Sequence, residues 1–485
     1  MKYYLYIFIV FTLVACQIED KNAPAPDEAY IKYYGELTTH EASDIEIVYD
    51  DNGEPEGFVV FGTQLSENGD RDFFVLRTNL DGVIEESVSF GFADTLDILD
   101  SEGNLIDGGD GMPDDWTRDG NVDTIRAEET GGQIHFVSDF GDGTSGYAII
   151  GTSSITINAI GISDWKWMSY SFLNRNLQPI LVNNRPINYL RDRSDDEFLD
   201  FVGNDIIQLN TRGFLMVGGR EEDRGGGDSD FDNLFVRLNL TDGIVFEQTQ
   251  GIPGDDEEDI LKRAFQKANG NLVMIGNSNT PSFRGESGGI NGTNVFYLET
   301  DINGTPSNSA AYGLADARPD GQGGVYNEIV SDVIKTPTGY CVVGTSNTSF
   351  NEQFAFIMNL SNSGVYLNGS NHQFSTYNPD NNTLQSLGNG VTQTVGNNLV
   401  MLGEYLSFNT GSLSRGGEGM FVKFNQGSVP INGAESYFGL ADGNDAIVDA
   451  VTLPDGKIVA VANVDFGGGV KLLSIIKLND DGSLD

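Results

Sequence analysis

A short apolar run closing on glycine recurs along this chain, and no other feature limits its folding so tightly. The run reads Phe58-Val-Val-Phe-Gly62, Tyr147-Ala-Ile-Ile-Gly151, Phe214-Leu-Met-Val-Gly218, Leu272-Val-Met-Ile-Gly276, Tyr340-Cys-Val-Val-Gly344 and Leu399-Val-Met-Leu-Gly403. A seventh copy, Lys457-Ile-Val-Ala-Val-Ala462, has alanine in place of glycine. Successive copies stand 58 to 89 residues apart, so one unit is about 60 residues with insertions. Past each run and a polar loop comes a second apolar stretch ending in a turn, as in Asp72 to Gly82, Asn233 to Gly243, Asn294 to Gly304 and Leu473 to Gly482. Asp-Gly and Asn-Gly end such stretches because glycine accepts the positive φ of a hairpin turn. A third stretch ends near Phe90-Gly91, Tyr312-Gly313 and Phe438-Gly439, and a fourth precedes the anchor, as in Ile45 to Tyr49, Ile329 to Ile334 and Ile447 to Val451.

Four antiparallel strands per unit, seven times over, predict an all-β chain folded as a seven-bladed β-propeller. The last unit reaches Asp485 with three strands, and the orphan strand Tyr30 to Gly35 precedes the first. Pairing that N-terminal strand in the last blade closes the ring and removes an open edge. One segment opposes this reading: Asp255 to Ala268 has the acidic start and composition of a helix. Its place in the repeat is the innermost strand of the fourth unit, and register against six siblings outweighs local propensity. The pattern resembles the bacterial SBBP-type and delta-60-type propeller repeats, best in Ala311 to Thr345 and Tyr437 to Gly456. That resemblance implies a fold and no common activity. The second unit departs most, with Trp165 and Trp167 in its third strand and no Tyr-Gly after it.

Residues 1–15 read as a signal peptide: Lys2, then an apolar run too short to span a bilayer. The run ends Leu13-Val14-Ala15-Cys16, which resembles the bacterial lipobox and implies lipidation at Cys16. Residues 16–29 then form a tether, in which Glu19 and Asp20 resemble the surface-export signal of Bacteroidota lipoproteins and Pro24 and Pro26 favour an extended chain. The expected location is the outer membrane, held by the lipid and exposed at the cell surface, with the propeller over 30–485. The other cysteine, Cys341, lies inside an apolar run, so no disulfide framework is implied.

Asp plus Glu number 72 against 27 Lys plus Arg, a net charge of −45, which excludes nucleic acid as a partner. The 29 Phe and 18 Tyr exclude a disordered acidic chain. Three histidines, His40, His135 and His372, fall in separate units with no nucleophile motif, so Ser-His-Asp chemistry has no support. An acidic insertion at about 94–125 holds Asp107-Gly-Gly-Asp110-Gly-Met-Pro-Asp114-Asp115. It resembles the bacterial thrombospondin type 3-like calcium motif at Asp110, Gly111 and Asp114, while Ile106 and Gly108 stand where earlier ligands belong. Calcium held by Asp110 and Asp114, with Asp107 or Asp115 filling in, is one reading, and a solvated acidic loop is the other. Thr95 and Thr124, each in an Asp-Thr-apolar triplet, resemble the Bacteroidota O-glycosylation acceptor.

Fold and location lead to the expectation of a non-catalytic binding module for a glycan or an outer-membrane protein complex, such as a nutrient transporter or secretion machinery, with no catalytic residue assigned. The alternative is a propeller hydrolase or lyase acting on extracellular polysaccharide. The two differ in one respect: an enzyme should gather two or three carboxylates of raised pKa in a cleft at one face, with aromatic platforms for sugar rings.

Overall fold

Each anchor run forms a strand buried on both faces. Leu272–Ser278 is buried at every position, as is the strand it pairs with, Asn294–Thr300. Continuous apolar character is what a strand sandwiched between two other sheets requires. The outermost strands behave differently: Ile84–Phe90, Gly243–Gln250 and Pro306–Tyr312 are largely exposed. The computed structural model describes residues 29–35, 39–50, 52–66, 69–91, 125–141, 143–157, 162–182, 186–190, 199–211, 213–223, 229–241, 243–251, 259–278, 292–313, 326–348, 353–374, 385–406, 417–439 and 443–484. Cys16, Thr95, Asp107, Asp110, Asp114, Asp115 and Thr124 lie outside the described residues.

Among the described residues there are five four-stranded sheets and one of nine strands. Within a unit the strands pair antiparallel in chain order, as in Phe201–Gln208, Phe214–Asp223, Ser229–Asn239 and Gly243–Gln250. This is the blade pattern expected from the repeat, and the chain is an all-β, propeller-type protein. The nine-stranded sheet joins the first two units through a single parallel pairing of Arg71 with Glu128. Two fragments, Pro179–Ile180 and Asn188–Leu190, stand where the second unit would carry its outermost strand, both paired with Ile162–Asn174. Ile260–Gln266 is a strand: tertiary pairing with Leu272–Ser278 overrides its helical composition.

The chain's two ends share one sheet, in the order Tyr30–Tyr34, Lys471–Leu478, Ile458–Asp465, Ala446–Thr452. Tyr34 donates its hydroxyl to the Gly82 carbonyl at 2.6 Å and Tyr30 to that of Leu80 at 3.2 Å. Both rings are buried in an apolar cluster with Phe58, Phe74, Val459 and Ile475, so the last sheet packs on the first. Similar clusters fill the spaces between other successive sheets, each fully buried aliphatic or aromatic side chain contributing about 1.5–3 kcal/mol.

The structure also accounts for the repeated glycine. In all seven first strands the register against the second strand slips at the same height: Ala42/Asp44, Gly131/Ile134, Gly203/Asp205, Leu261/Arg263, Val330/Asp332, Gly388/Gly390 and Ile447/Asp449. Opposite the residue before each bulge stands Gly62, Gly151, Gly218, Gly276, Gly344, Gly403 or Ala462. A Cβ on Gly344 would land on the Ile329 carbonyl oxygen, and one on Gly62 on that of Glu41. A bulge adds a residue and bends its strand, and at six of the seven positions a residue without a side chain leaves room for the carbonyl that faces it.

Candidate active site

The seven bulges converge. Their skipped residues, among them Ser43, Asn204, Lys262, Ser331, Asn389 and Val448, line a chamber of about 270 Å³. On the far side of the bulges a cleft of about 430 Å³ is lined by the C-terminal halves of the same strands, including Asp44, Glu46, His135, Asp205, Arg263, Asp332 and Asp449. Arg263, Asp332 and Asp449 border both spaces and form the floor between them.

Three of the aspartates stitch adjacent units together. Asp44 Oδ1 accepts the Ile45 N–H at 2.9 Å and Oδ2 accepts the Ile134 N–H of the next unit at 2.7 Å. Asp205 does the same with Ile206 and Ala264, and Asp332 with Val333 and Val391. The bulge leaves these N–H groups without ladder partners, and a carboxylate between two strands satisfies both. At the fourth such position, between the last unit and the first, the Ile45 N–H is already taken by Asp44. Asp449 instead hydrogen-bonds to the Asp44 carboxyl.

That exchange sets the electrostatics. Arg263 binds Asp332 through Nε at 2.6 Å and Nη2 at 2.5 Å, and Asp205, Asp44 and Asp449 also raise its pKa against the opposing effect of burial. Four buried aspartates around one arginine cannot all be ionised without leaving uncompensated charge. Burial, and then the hydrogen bond and charge of Asp44, raise the Asp449 pKa well above the ordinary range. Asp44 is pushed up to about 6 by burial, against the lowering effect of that hydrogen bond and of Arg263. Glu46 is raised by burial, partly offset by His135.

His135 Nε2 lies 2.7 Å from Asp205 Oδ1, and Nδ1 faces Glu46 Oε2 at 4.0 Å. Burial lowers the His135 pKa, but Asp205 and then Glu46 outweigh it and the net shift is upward, while Asp205 is held below its usual value. His135 and Glu46 keep about a third of their side chains exposed, at 32% and 30%, and so reach the cleft. Tyr49 and Phe265 supply aromatic walls. His135 stands in a different unit from either of its carboxylate neighbours, and folding alone sets it beside Glu46 and Asp205. The signal was present in the inner strands, where Ser43-Asp44-Ile45, Asn204-Asp205-Ile206, Ser331-Asp332-Val333 and Val448-Asp449-Ala450 occupy one repeat position. Arg263 and His135 have no such repeated counterpart.

No family model matches the chain, and no curated protein does. Solved structures similar to it include an ulvan lyase of a new polysaccharide lyase family, at 10% identity and TM-score 0.47, covering 93% of this chain and 97% of that one. The α-L-arabinofuranosidase of Fusarium graminearum, solved with an iminosugar inhibitor, has 10% identity, TM-score 0.42 and the same coverages. The intramolecular trans-sialidase of Ruminococcus gnavus has 10% identity and TM-score 0.37, covering 95% of this chain and 100% of that one. The expectation of a non-catalytic binding module is corrected by the cleft, which holds the converging carboxylates of raised pKa that separate an enzyme from a binding module.

Proposed function

We propose that the chain is a seven-bladed propeller hydrolase that cleaves an extracellular polysaccharide in the axial cleft. The observation that carries this reading is the Asp449–Asp44 pair, two hydrogen-bonded carboxyls of raised pKa on the floor of an open cleft. Asp449 gives its proton to the glycosidic oxygen as the bond to the anomeric carbon breaks. Water adds to that carbon and loses its proton to Glu46, which His135, held by Asp205, orients. Arg263 stabilises the carboxylate left on Asp449. The substrate is a neutral glycan, because a uronate would meet Asp44, Glu46 and Asp332. A lyase must neutralise a uronate, and Arg263 is engaged by Asp332.

The test is release of reducing ends from neutral polysaccharides by the full chain. Asp449→Asn and Glu46→Gln should each lower the rate by about 10²–10⁴. Products carrying an unsaturated uronate would replace hydrolysis with elimination, and cleavage of no polymer would refute the reading. Ring closure by Tyr30–Tyr34 belongs to the same proposal, supported by its pairing with Lys471–Leu478 and by Asn463, which exchanges hydrogen bonds with the Ala42 backbone. So does location: an outer-membrane lipoprotein anchored at Cys16 and exposed to its polymer, with calcium in the insertion and glycans on Thr95 and Thr124. Mass spectrometry of the native N-terminal peptide tests the anchor.

A further inference from the structure

Away from the axis, between the last two sheets, a second cavity of about 260 Å³ opens to the surface. Its origin lies in one repeat position. Opposite the anchor glycine, the third strand carries Phe74, Leu234, Phe296, Phe356 and Met420 in the first, third, fourth, fifth and sixth units. Each of these fills the space toward an adjoining sheet. In the last unit the position is Ser474, opposite Ala462. The second unit also has serine there, Ser169, but its hydroxyl pairs with Ser153 at 2.6 Å. Ser474 is fully buried, lines the cavity, and its Oγ has no hydrogen-bond partner among the described residues. A buried hydroxyl left unpaired costs about 1–3 kcal/mol, which a ligand hydroxyl would recover.

The rim matches that floor. Tyr33 and Tyr437 border the opening and are 48% and 37% exposed. Phe466, 47% exposed, packs edge-on to Tyr33 at 5.5 Å between centroids, and Tyr405 packs on Tyr437 at 5.0 Å. Large aromatic rings held in place by aromatic neighbours, above an apolar wall of Ile447 and Ile476 and a lone hydroxyl, suit the apolar face and hydroxyl edge of a sugar ring. Asp445 lines the cavity, and Glu435 lies within reach of the Tyr437 hydroxyl at 3.4 Å. Negative charge at this rim disfavours uronic and sulfated residues.

We propose that this cavity is a second glycan-binding site, separate from the axial cleft, which seats one neutral glycosyl residue against Tyr33 and Tyr437 with a hydroxyl on Ser474 Oγ. It requires no catalysis at the axis. The experiment is calorimetric titration of cello-, xylo-, manno- and arabino-oligosaccharides into the full chain carrying Asp449→Asn, with and without Ser474→Phe. That substitution places in the cavity the side chain that the first, fourth and fifth units carry, and Tyr437→Ala, at the exposed rim, tests the site without filling it. The proposal expects one binding event to weaken by about tenfold or more with Ser474→Phe, and likewise with Tyr437→Ala. Equal affinities with and without Ser474→Phe, or no binding of any of the four series outside the axial cleft, would overturn it. Loss of axial hydrolysis with this binding intact would sink the proposed function alone, and the reverse result would sink only the second site.

Discussion

Replacing Arg263 with methionine probes the logic of the axial cluster most directly. The guanidinium donates Nε–H to Asp332 Oδ1 at 2.6 Å and holds Nη2 2.5 Å from the same oxygen in an ion pair, and the two side chains are 10% and 3% exposed. Methionine fills similar space, so the loss is electrostatic. Each hydrogen bond to a charged group contributes about 1.5–3 kcal/mol, and removing one partner of a buried pair costs about 3–5 kcal/mol. We expect a deficit of about 3–5 kcal/mol near neutral pH, read from urea midpoints at constant m-value. The deficit should also depend on pH. Arg263 lowers the carboxyls of Asp44, Asp205 and Asp449, so without it their native pKa values rise. A carboxyl with a native pKa above its unfolded one binds its proton first in the native state. The variant therefore recovers stability as pH falls through that raised range toward the ordinary carboxylate range, and the deficit shrinks by about pH 5. A deficit below about 1 kcal/mol, or one unchanged between about pH 7 and pH 5, would refute the reasoning.

Asp44→Asn removes the neighbour whose hydrogen bond and charge raise Asp449, so the alkaline limb of the kcat/KM profile should move to lower pH; an unmoved limb would mean that Asp449 is not the acid. Deleting residues 29–35 strips the outer strand from the last sheet and the Tyr30 and Tyr34 bonds to the first unit, and should lower the unfolding midpoint and promote association measured by light scattering. Gly344→Ala drives a Cβ into the Ile329 carbonyl and should cost about 1–3 kcal/mol, whereas Ala462→Gly should cost about 0.5–1 kcal/mol; denaturant midpoints compare the two. Calcium titrated into chelator-stripped protein should bind the wild type and not the Asp110→Ala, Asp114→Ala double variant, with the propeller's unfolding midpoint little changed by its removal.

Unit length, strand order and strand type were legible in the amino-acid sequence because each depends on neighbours in the chain. Alternation, Asp-Gly turns and the apolar anchor are local patterns, and repetition corrected the one place, Asp255 to Ala268, where local composition pointed to a helix. Even the pairing of Tyr30–Tyr34 with the last unit followed from counting strands. The axial cluster was not legible. Asp44, Asp205, Asp332 and Asp449 each read as one polar residue in an apolar strand, and Arg263 and His135 follow no repeat. They meet because bulges at one height in the inner strands bring the residues that follow them together around one cleft. Whether a carboxyl there is ionised depends on neighbours contributed by other units. The Ser474 cavity divides the same way: a serine in place of phenylalanine is visible in the aligned repeats, but only the packing of the last two sheets makes the missing volume a space that a ligand can enter.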